Sequence, residues 1–324
     1  GIMGGEIVML GLIALPQMLR LGYDRKLAIG IICAAGALAT LIPPSVVLIV
    51  YGLAAQVSIT KLFAASAVPG LILAGLYITY ILVRVRLKPE MAPIYDIPET
   101  ALPFFQRLKF LKGIILPAIL IGTVLGVIYS GVATVTEAAA IGAIGALVVA
   151  AARKELKWTM ARDAMRQTVI TVGSIIWLVI GAVSLIGIYN RIGGGDFLRG
   201  VLTTLDIGPI WVIVVMMLIV MLLGTFLEWI AIIFITVPIF APVVIDLGFD
   251  PVWFGVLFAM NIQMYYLSPP FGPACFFLKS VAPKDITLQE IFVAVLPFIA
   301  LQAVGLALVL FNPQIALWLP SLFE

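Results

Sequence analysis

The sequence predicts an all-α polytopic membrane protein built from inverted repeats, with broken helices and re-entrant helical hairpins. Three observations carry that reading: composition, a motif that occurs twice, and the placement of basic tracts. Of 324 residues, 63% are hydrophobic and 11% are charged. Soluble chains average about half apolar and about a quarter charged. Such long apolar runs suit a lipid solvent, whose hydrocarbon core takes roughly 20 residues of helix to cross.

The motif PQMLRLGYD occupies Pro16–Asp24, and PVVIDLGFD occupies Pro242–Asp250, an offset of 226. In each copy a double proline follows 19 residues after the Asp, at Pro43–Pro44 and at Pro269–Pro270. Further on, SITKLFAASAVP (58–69) faces DITLQEIFVAVLP (285–297) with small gaps. Two related halves, each with a proline-broken apolar segment, are the pattern of a secondary transporter.

Seven stretches are expected to span or nearly span: 27–52, 62–83, 113–130, 134–152, 168–189, 251–278 and 287–311. The stretch 209–245 is interrupted by Gly224, Glu228 and Pro238. It reads as two short helices folded back on each other, which membrane depth permits where protein or a wet cavity surrounds the tip. Residues 1–19 are apolar and Gly-rich, and GIMGGE (1–6) reads as the second arm of a first hairpin. With no Met, charged leader or cleavage site at Gly1, the first repeat reads as truncated at its N-terminus. The expected divisions are a first repeat over 1–87, a cytoplasmic linker over 88–112 and a second repeat over 113–324. Pro89, Pro93, Pro98 and Pro103 prevent one continuous helix in the linker, where a short surface helix is expected at 102–111.

Basic residues cluster at Arg20/Arg25/Lys26, at Arg84–Lys112, at Arg153–Arg166 and at Lys279/Lys284. The positive-inside rule places all four tracts on the cytoplasmic side. Counting crossings then puts Gly22–Tyr23–Asp24 inside and Gly248–Phe249–Asp250 outside, so the halves have opposite orientations. A parallel repeat would need one more or one fewer crossing, for instance two full spans across 209–245 together with a misread loop elsewhere. Net charge is +3, spread in these short tracts, which gives no nucleic-acid signature. There is no His, so His-based metal and acid–base chemistry are excluded. Cys33 and Cys275 lie in apolar runs and read as reduced packing residues. Gly193–Gly195 lacks Walker spacing. No nucleotide motif appears, the chain does not read as an enzyme, and no cofactor is expected.

Five motifs carry candidate chemistry. In LIPPS (41–45), preceded by Gly36, adjacent prolines should unwind the helix and free carbonyls that a cation can satisfy; a plain kink is the alternative. YYLSPPFGP (265–273) is its counterpart, with Ser268 before the prolines where Ser45 follows them; Asn261 and Gln263 lie upstream and read as cavity lining or as interhelical hydrogen bonds. LLGTFLEW (222–229) offers Gly224, Thr225 and Glu228, the last an ion-pathway carboxylate or a helix cap. In GVATVTEAAAIGA (131–143), Thr134 or Thr136 should cap a helix with Glu137 in its first turn, a role weighed against contact with substrate. GIMGGE is the fifth. Arg191 and Arg199 read as surface charges or anion contacts.

These motifs together resemble the large membrane subunit of tripartite ATP-independent periplasmic (TRAP) transporters, in the mannitol/chloroaromatic-compound branch. The resemblance rests on LPQMLRLGYD, IPPS with Tyr51–Gly52, ATVTEAAAIGA, GTFLE and SPPFGP. It implies a sodium-coupled elevator-type transporter in the bacterial inner membrane. It further implies two hairpins, two broken helices at 42–45 and 268–272, and a hairpin tip at 224–228. The implied sodium sites involve Gly36, Ile42, Pro43, Pro44, Ser45, Gly224, Thr225, Ser268, Pro269, Pro270 and Gly272. Thr134, Thr136, Glu137, Glu228 and Asn261 are the expected pathway residues. The implied partners are a small membrane subunit, a periplasmic substrate-binding protein and an organic acid substrate. A sodium/proton antiporter using Glu228 or Glu137 is the alternative.

Overall fold

The computed structural model describes residues 4–93, 112–194, 197, 200 and 208–322. The described residues form helices joined by short turns, with no strand among them. The chain divides into two compact units, Gly1–Pro93 with Leu178–Glu324, and Ile94–Trp177. Helices α1 (Gly5–Arg20), α2 (Arg25–Leu38), α3 (Val46–Ala55) and α4 (Ile59–Leu87) come first. Next are α5 (Lys112–Tyr129), α6 (Val135–Ala152) and α7 (Trp158–Arg191). The last are α8 (Pro209–Leu223), α9 (Trp229–Asp246), α10 (Pro251–Leu267), α11 (Pro273–Val281), α12 (Leu288–Phe311) and the short α13 (Gln314–Leu317).

Five of these helices are long and apolar enough to cross a membrane: α4, α6, α7 over 158–189, α9 and α12. Large apolar side chains such as Leu12, Leu71, Ile144 and Trp177 stay more than half exposed. A soluble monomer does not present so many; in lipid they meet their own kind of solvent. The chain is a multi-pass membrane protein.

The repeated motif folds the same way twice. After α1, Leu21, Gly22 and Tyr23 donate their N–H groups to the carbonyls of Gln17, Leu19 and Met18. After α9, Leu247, Gly248 and Phe249 donate to Val243, Ile245 and Val244, the same bonds shifted by the repeat offset. Gly22 and Gly248 take φ of +77° and +80°, the left-handed turn that ends a helix at least cost when it has no Cβ. The Asp then caps the next helix: Asp24 Oδ1 accepts from Leu27 N at 2.8 Å and Asp250 Oδ1 from Val252 N at 2.6 Å.

The matched helices interlock. α1 packs on α11 as α9 packs on α3, α2 packs on α12 as α10 packs on α4, and α2 meets α10. Their directions are opposed. Along α4, Leu73 meets Gly305 of α12, while Tyr77 and Tyr80 both stack edge-on against Phe298. Residue number rises on one helix as it falls on the other, so these counterparts run antiparallel. The middle helices are the core. Every residue of α10 from Val252 to Leu267 is buried, and α2 is buried along most of its length.

The expected segments 27–52 and 251–278 are each two helices, α2/α3 and α10/α11, separated at the double prolines. The stretch 209–245 is the helix pair α8/α9, joined through Gly224–Glu228, and the two arms pack together. α9 has the length to cross, although an arm of a hairpin was expected. One boundary differs substantially. α7 begins at Trp158, ten residues before 168, so Arg162, Asp163 and Arg166 lie on a helix. Arg and Lys are good helix formers, and these side chains stay exposed, so nothing interrupts the helix. In the linker, Pro89–Met91 form one 3-10 turn; the surface helix expected at 102–111 lies outside the described residues. Cys33 and Cys275 are buried free thiols.

Because Asp24 and Asp250 do the same job, Asp24→Ala and Asp250→Ala should each cost about 1 kcal/mol of stability. The double variant should lose close to the sum. Thermal or denaturant unfolding of the detergent-solubilised protein measures this; a large loss from one substitution and none from the other would deny the equivalence.

Candidate functional site

Hydrogen-bond accounting locates the first break. A continued helix would send the N–H groups of residues 43 and 44 to the carbonyls of Ala39 and Thr40, and proline has no N–H. The Ser45 hydroxyl replaces one of them by donating to the Thr40 carbonyl. The same oxygen accepts from Leu48 N at 3.4 Å and so caps α3. Among the described residues nothing donates to the Ala39 carbonyl.

The second break repeats the problem. Pro269 and Pro270 withdraw donors from the carbonyls of Tyr265 and Tyr266. The Ser268 N–H bonds to Tyr265 O at 3.0 Å, and the Ser268 hydroxyl donates to Met264 O at 2.6 Å. The Tyr266 carbonyl has no donor among the described residues. The two hydroxyls are not superimposed in sequence, yet each turns onto a carbonyl of the helix that precedes its break. Gly272 ends the second break at φ +35°, in the left-handed region, and a Cβ there would lie 2.6 Å from the Phe292 ring. Both Pro–Pro bonds are cis.

The hairpin tip sits against the second break. Gly224 packs so closely on Tyr265 that a Cβ would come within 2.3 Å of the ring. Thr225 Oγ1 donates to Leu222 O at 2.7 Å, closing the end of α8. Glu228 is the N-cap of α9 and accepts from Ile230 N at 3.1 Å. Beside it opens a cavity of about 180 Å³, lined by Glu228, Trp229, Tyr265, Tyr266, Phe271 and Pro273, and closed by Phe277. Phe277 also covers Gly4, and Ile7 of α1 covers Gly36 of α2, where a Cβ would meet it at 2.2 Å. The starts of α1 and α9 thus converge on one region, although α1 begins the chain.

Buried polar atoms gather here without partners: one Glu6 carboxylate oxygen and the hydroxyls of Tyr265 and Tyr266. A buried polar group left unpaired costs free energy, so this region offers both acceptors and donors. Among the described residues no three Cys, Asp or Glu gather to hold a metal ion. The donor set for a cation is carbonyl and hydroxyl oxygen, which suits a hard ion.

The other expected residues fall elsewhere. Asn261 is buried and donates to Met217 O at 2.6 Å, tying α10 to α8. Thr134 and Glu137 form a reciprocal capping box at the start of α6, in the unit Ile94–Trp177, with Glu137 accepting from Thr134 N at 2.8 Å. Thr136 and Arg191 are exposed, and Arg199 lies outside the described residues. Sequence reasoning gave no individual role to Glu6, Tyr265 or Tyr266; the signal of the tyrosines was the hydroxyls they carry into an apolar segment beside a double proline, and that of Glu6 a carboxylate in an apolar stretch.

Comparison with known proteins agrees with the geometry. Residues 1–315 match the family model "Tripartite ATP-independent periplasmic transporter, DctM component". The C4-dicarboxylate TRAP transporter large permease protein DctM of Pseudomonas aeruginosa is 31% identical over 97% of this chain and 72% of its own length. The sialic acid TRAP transporter large permease protein SiaM of Vibrio cholerae is 30% identical over 97% of this chain and 72% of its own. The ectoine/5-hydroxyectoine TRAP transporter large permease protein UehC of Ruegeria pomeroyi is 30% identical over 98% and 72%.

If Gly224 exists to admit the Tyr265 ring, Gly224→Val should destabilise the protein by about 1–3 kcal/mol through overpacking. Gly75→Ala, where nothing lies within 4 Å, should be neutral or slightly stabilising. Parallel melting curves of the two variants check this.

Proposed function

Since the chain belongs to the DctM family of tripartite ATP-independent periplasmic transporters, we propose that it imports a small organic acid across the bacterial inner membrane, driven by sodium. The observation that carries this reading is the pair of matched breaks, each with a carbonyl stripped of its donor and a hydroxyl beside it. Carbonyl and hydroxyl oxygens at a broken helix bind sodium without needing a carboxylate.

Sodium would sit at the two breaks, drawing on Gly36, Ile42, Pro43, Pro44 and Ser45 at the first. At the second it would draw on Ser268, Pro269, Pro270 and Gly272, with Gly224 and Thr225 of the tip. Ordering these segments would pre-form the cavity beside Glu228 for substrate. The N-termini of α9 and α11 border that cavity, and their dipoles favour an anion. Two of the relatives are named for acids, C4-dicarboxylate and sialic acid, which supports the same class here. Delivery by a periplasmic binding protein and work beside a small membrane subunit complete the reading. The unit Gly1–Pro93 with Leu178–Glu324 would carry substrate in an elevator motion, and Thr134, Thr136 and Glu137 are proposed as pathway residues. The mannitol/chloroaromatic branch is proposed on the same motifs as the resemblance: LPQMLRLGYD, IPPS with Tyr51–Gly52, ATVTEAAAIGA, GTFLE and SPPFGP.

A sodium/proton antiporter is the second reading, favoured by the two carboxylates, Glu6 and Glu228, near the same tyrosine, Tyr266. Uptake by the assembled transporter in proteoliposomes, with binding protein present, separates the two. Symport predicts uptake that requires inward sodium and survives Glu228→Gln within a few-fold. Antiport predicts that Glu228→Gln abolishes exchange while sodium still binds. Under symport, Ser268→Ala should raise the sodium concentration for half-maximal uptake more than Ser45→Ala does. The Ser45 oxygen is already engaged as both donor and acceptor, so Ser45→Ala should show chiefly as lost stability, on the order of 1 kcal/mol. Sodium-independent uptake would sink the proposal.

A further inference from the structure

One cavity beside a basic tract lies away from the breaks. It has a volume of about 630 Å³ and opens between the start of α2, the end of α4 and α12. Three cations line it, Lys26, Arg84 and Lys88, and an apolar wall of Leu27, Val293 and Phe298 faces them. Two acids are also present. Asp24 is committed to the α2 cap, and Glu90 follows Lys88 on the rim. The ion pairs among the described residues join Arg25 to Asp285 and Glu290, and Arg162 to Asp163. None of the three pocket cations takes part in them. Arg84 lies 5.9 Å from the centre of the Tyr80 ring, which holds its guanidinium toward the cavity wall.

Depth follows from the length of α4. Its 29 residues measure about 44 Å at 1.5 Å per residue, against a hydrocarbon core of roughly 30 Å. Arg84, Arg86 and Lys88 close its polar end, so the cavity stands at headgroup level. The basic side is the cytoplasmic one by the positive-inside rule.

We propose that this cavity is a binding site for an anionic phospholipid of the cytoplasmic leaflet. The phosphodiester would sit among Lys26, Arg84 and Lys88, and the upper acyl chain would lie along Leu27, Val293 and Phe298. A groove that is basic at its mouth and apolar along its wall, at headgroup depth, matches both ends of such a molecule. The site is independent of substrate and of sodium.

Native mass spectrometry of the full-length chain, purified and titrated with phosphatidylglycerol or phosphatidylethanolamine, tests it. The expected result is preferential retention of phosphatidylglycerol, weakened about fivefold by each of Lys26→Gln, Arg84→Gln and Lys88→Gln. The triple variant should lose it by roughly a hundredfold, while Lys154→Gln/Lys157→Gln leaves it unchanged. The three side chains are exposed, and an unaltered gel-filtration profile confirms that the variants fold. Equal retention of both lipids, or of phosphatidylglycerol by wild type and triple variant, would overturn the proposal. So would complete displacement of the lipid by millimolar inorganic phosphate, which would mark a site for the free anion. Absence of any wild-type retention would also overturn it.

Discussion

Missing donors at two double prolines govern this structure. In water a carbonyl that loses its N–H finds a solvent molecule at little cost. In hydrocarbon it finds none, and an unsatisfied group costs several kcal/mol. A helix broken at membrane depth must therefore be wrapped in protein. That requirement explains why α2 and α10, the helices that run into the breaks, are the most buried in their unit. It also explains why serine stands beside each double proline, since a hydroxyl is a donor that needs no backbone N–H. The hairpin tip at Gly224 is pressed onto Tyr265 for the same reason, shielding the last turn before the second break.

The opposed orientation of the halves has two independent supports. One is the crossing count from basic tracts, which depends on whether 209–245 spans or turns back. The other is the antiparallel run of α4 against α12, read from Leu73, Tyr77 and Tyr80 against Gly305 and Phe298. The second does not depend on counting crossings. With α9 long enough to cross on its own, length could not have settled the matter, whereas helix direction can. The reciprocal packing of α1 on α11 and α9 on α3 then has a physical meaning. Each half covers the break of the other, so neither half buries its own break alone.

What could be read from sequence was local. The Gly–aromatic–Asp turn, the two breaks, the Thr134–Glu137 capping box and the hairpin interruption at 224–228 all depend on residues within a turn or two of each other. Their chemistry is visible in spacing. Contacts across long separations were not visible. Tyr265 stands 41 residues from the Gly224 that it packs against, and an apolar period shows that a face is buried without showing what faces it. Asn261 illustrates the limit: an amide near a broken helix reads equally as cavity lining or as a clamp, and its bond to Met217 O, 44 residues away, is visible only in the fold. The start of α7 was missed for another reason. Charges usually signal a loop in so apolar a chain, yet Arg and Lys favour helix wherever they can stay exposed.

The two breaks are alike in origin but not in ligand capacity. Ser45 follows its prolines, so its hydroxyl donates back to Thr40 and accepts from Leu48, which uses its proton and one of its two lone pairs. Ser268 precedes its prolines and donates to Met264 alone. Its lone pairs receive no donor among the described residues, because the helix it would cap begins only after Gly272. The hydroxyl at the second break therefore keeps both lone pairs, where the first has one left. The second break also has the hairpin tip, the Glu228 cavity and the unpartnered Tyr265 and Tyr266 hydroxyls beside it. A three-position difference in where serine stands in the two copies thus leaves the second hydroxyl with more free acceptor capacity than the first, while each break keeps a carbonyl with no donor among the described residues.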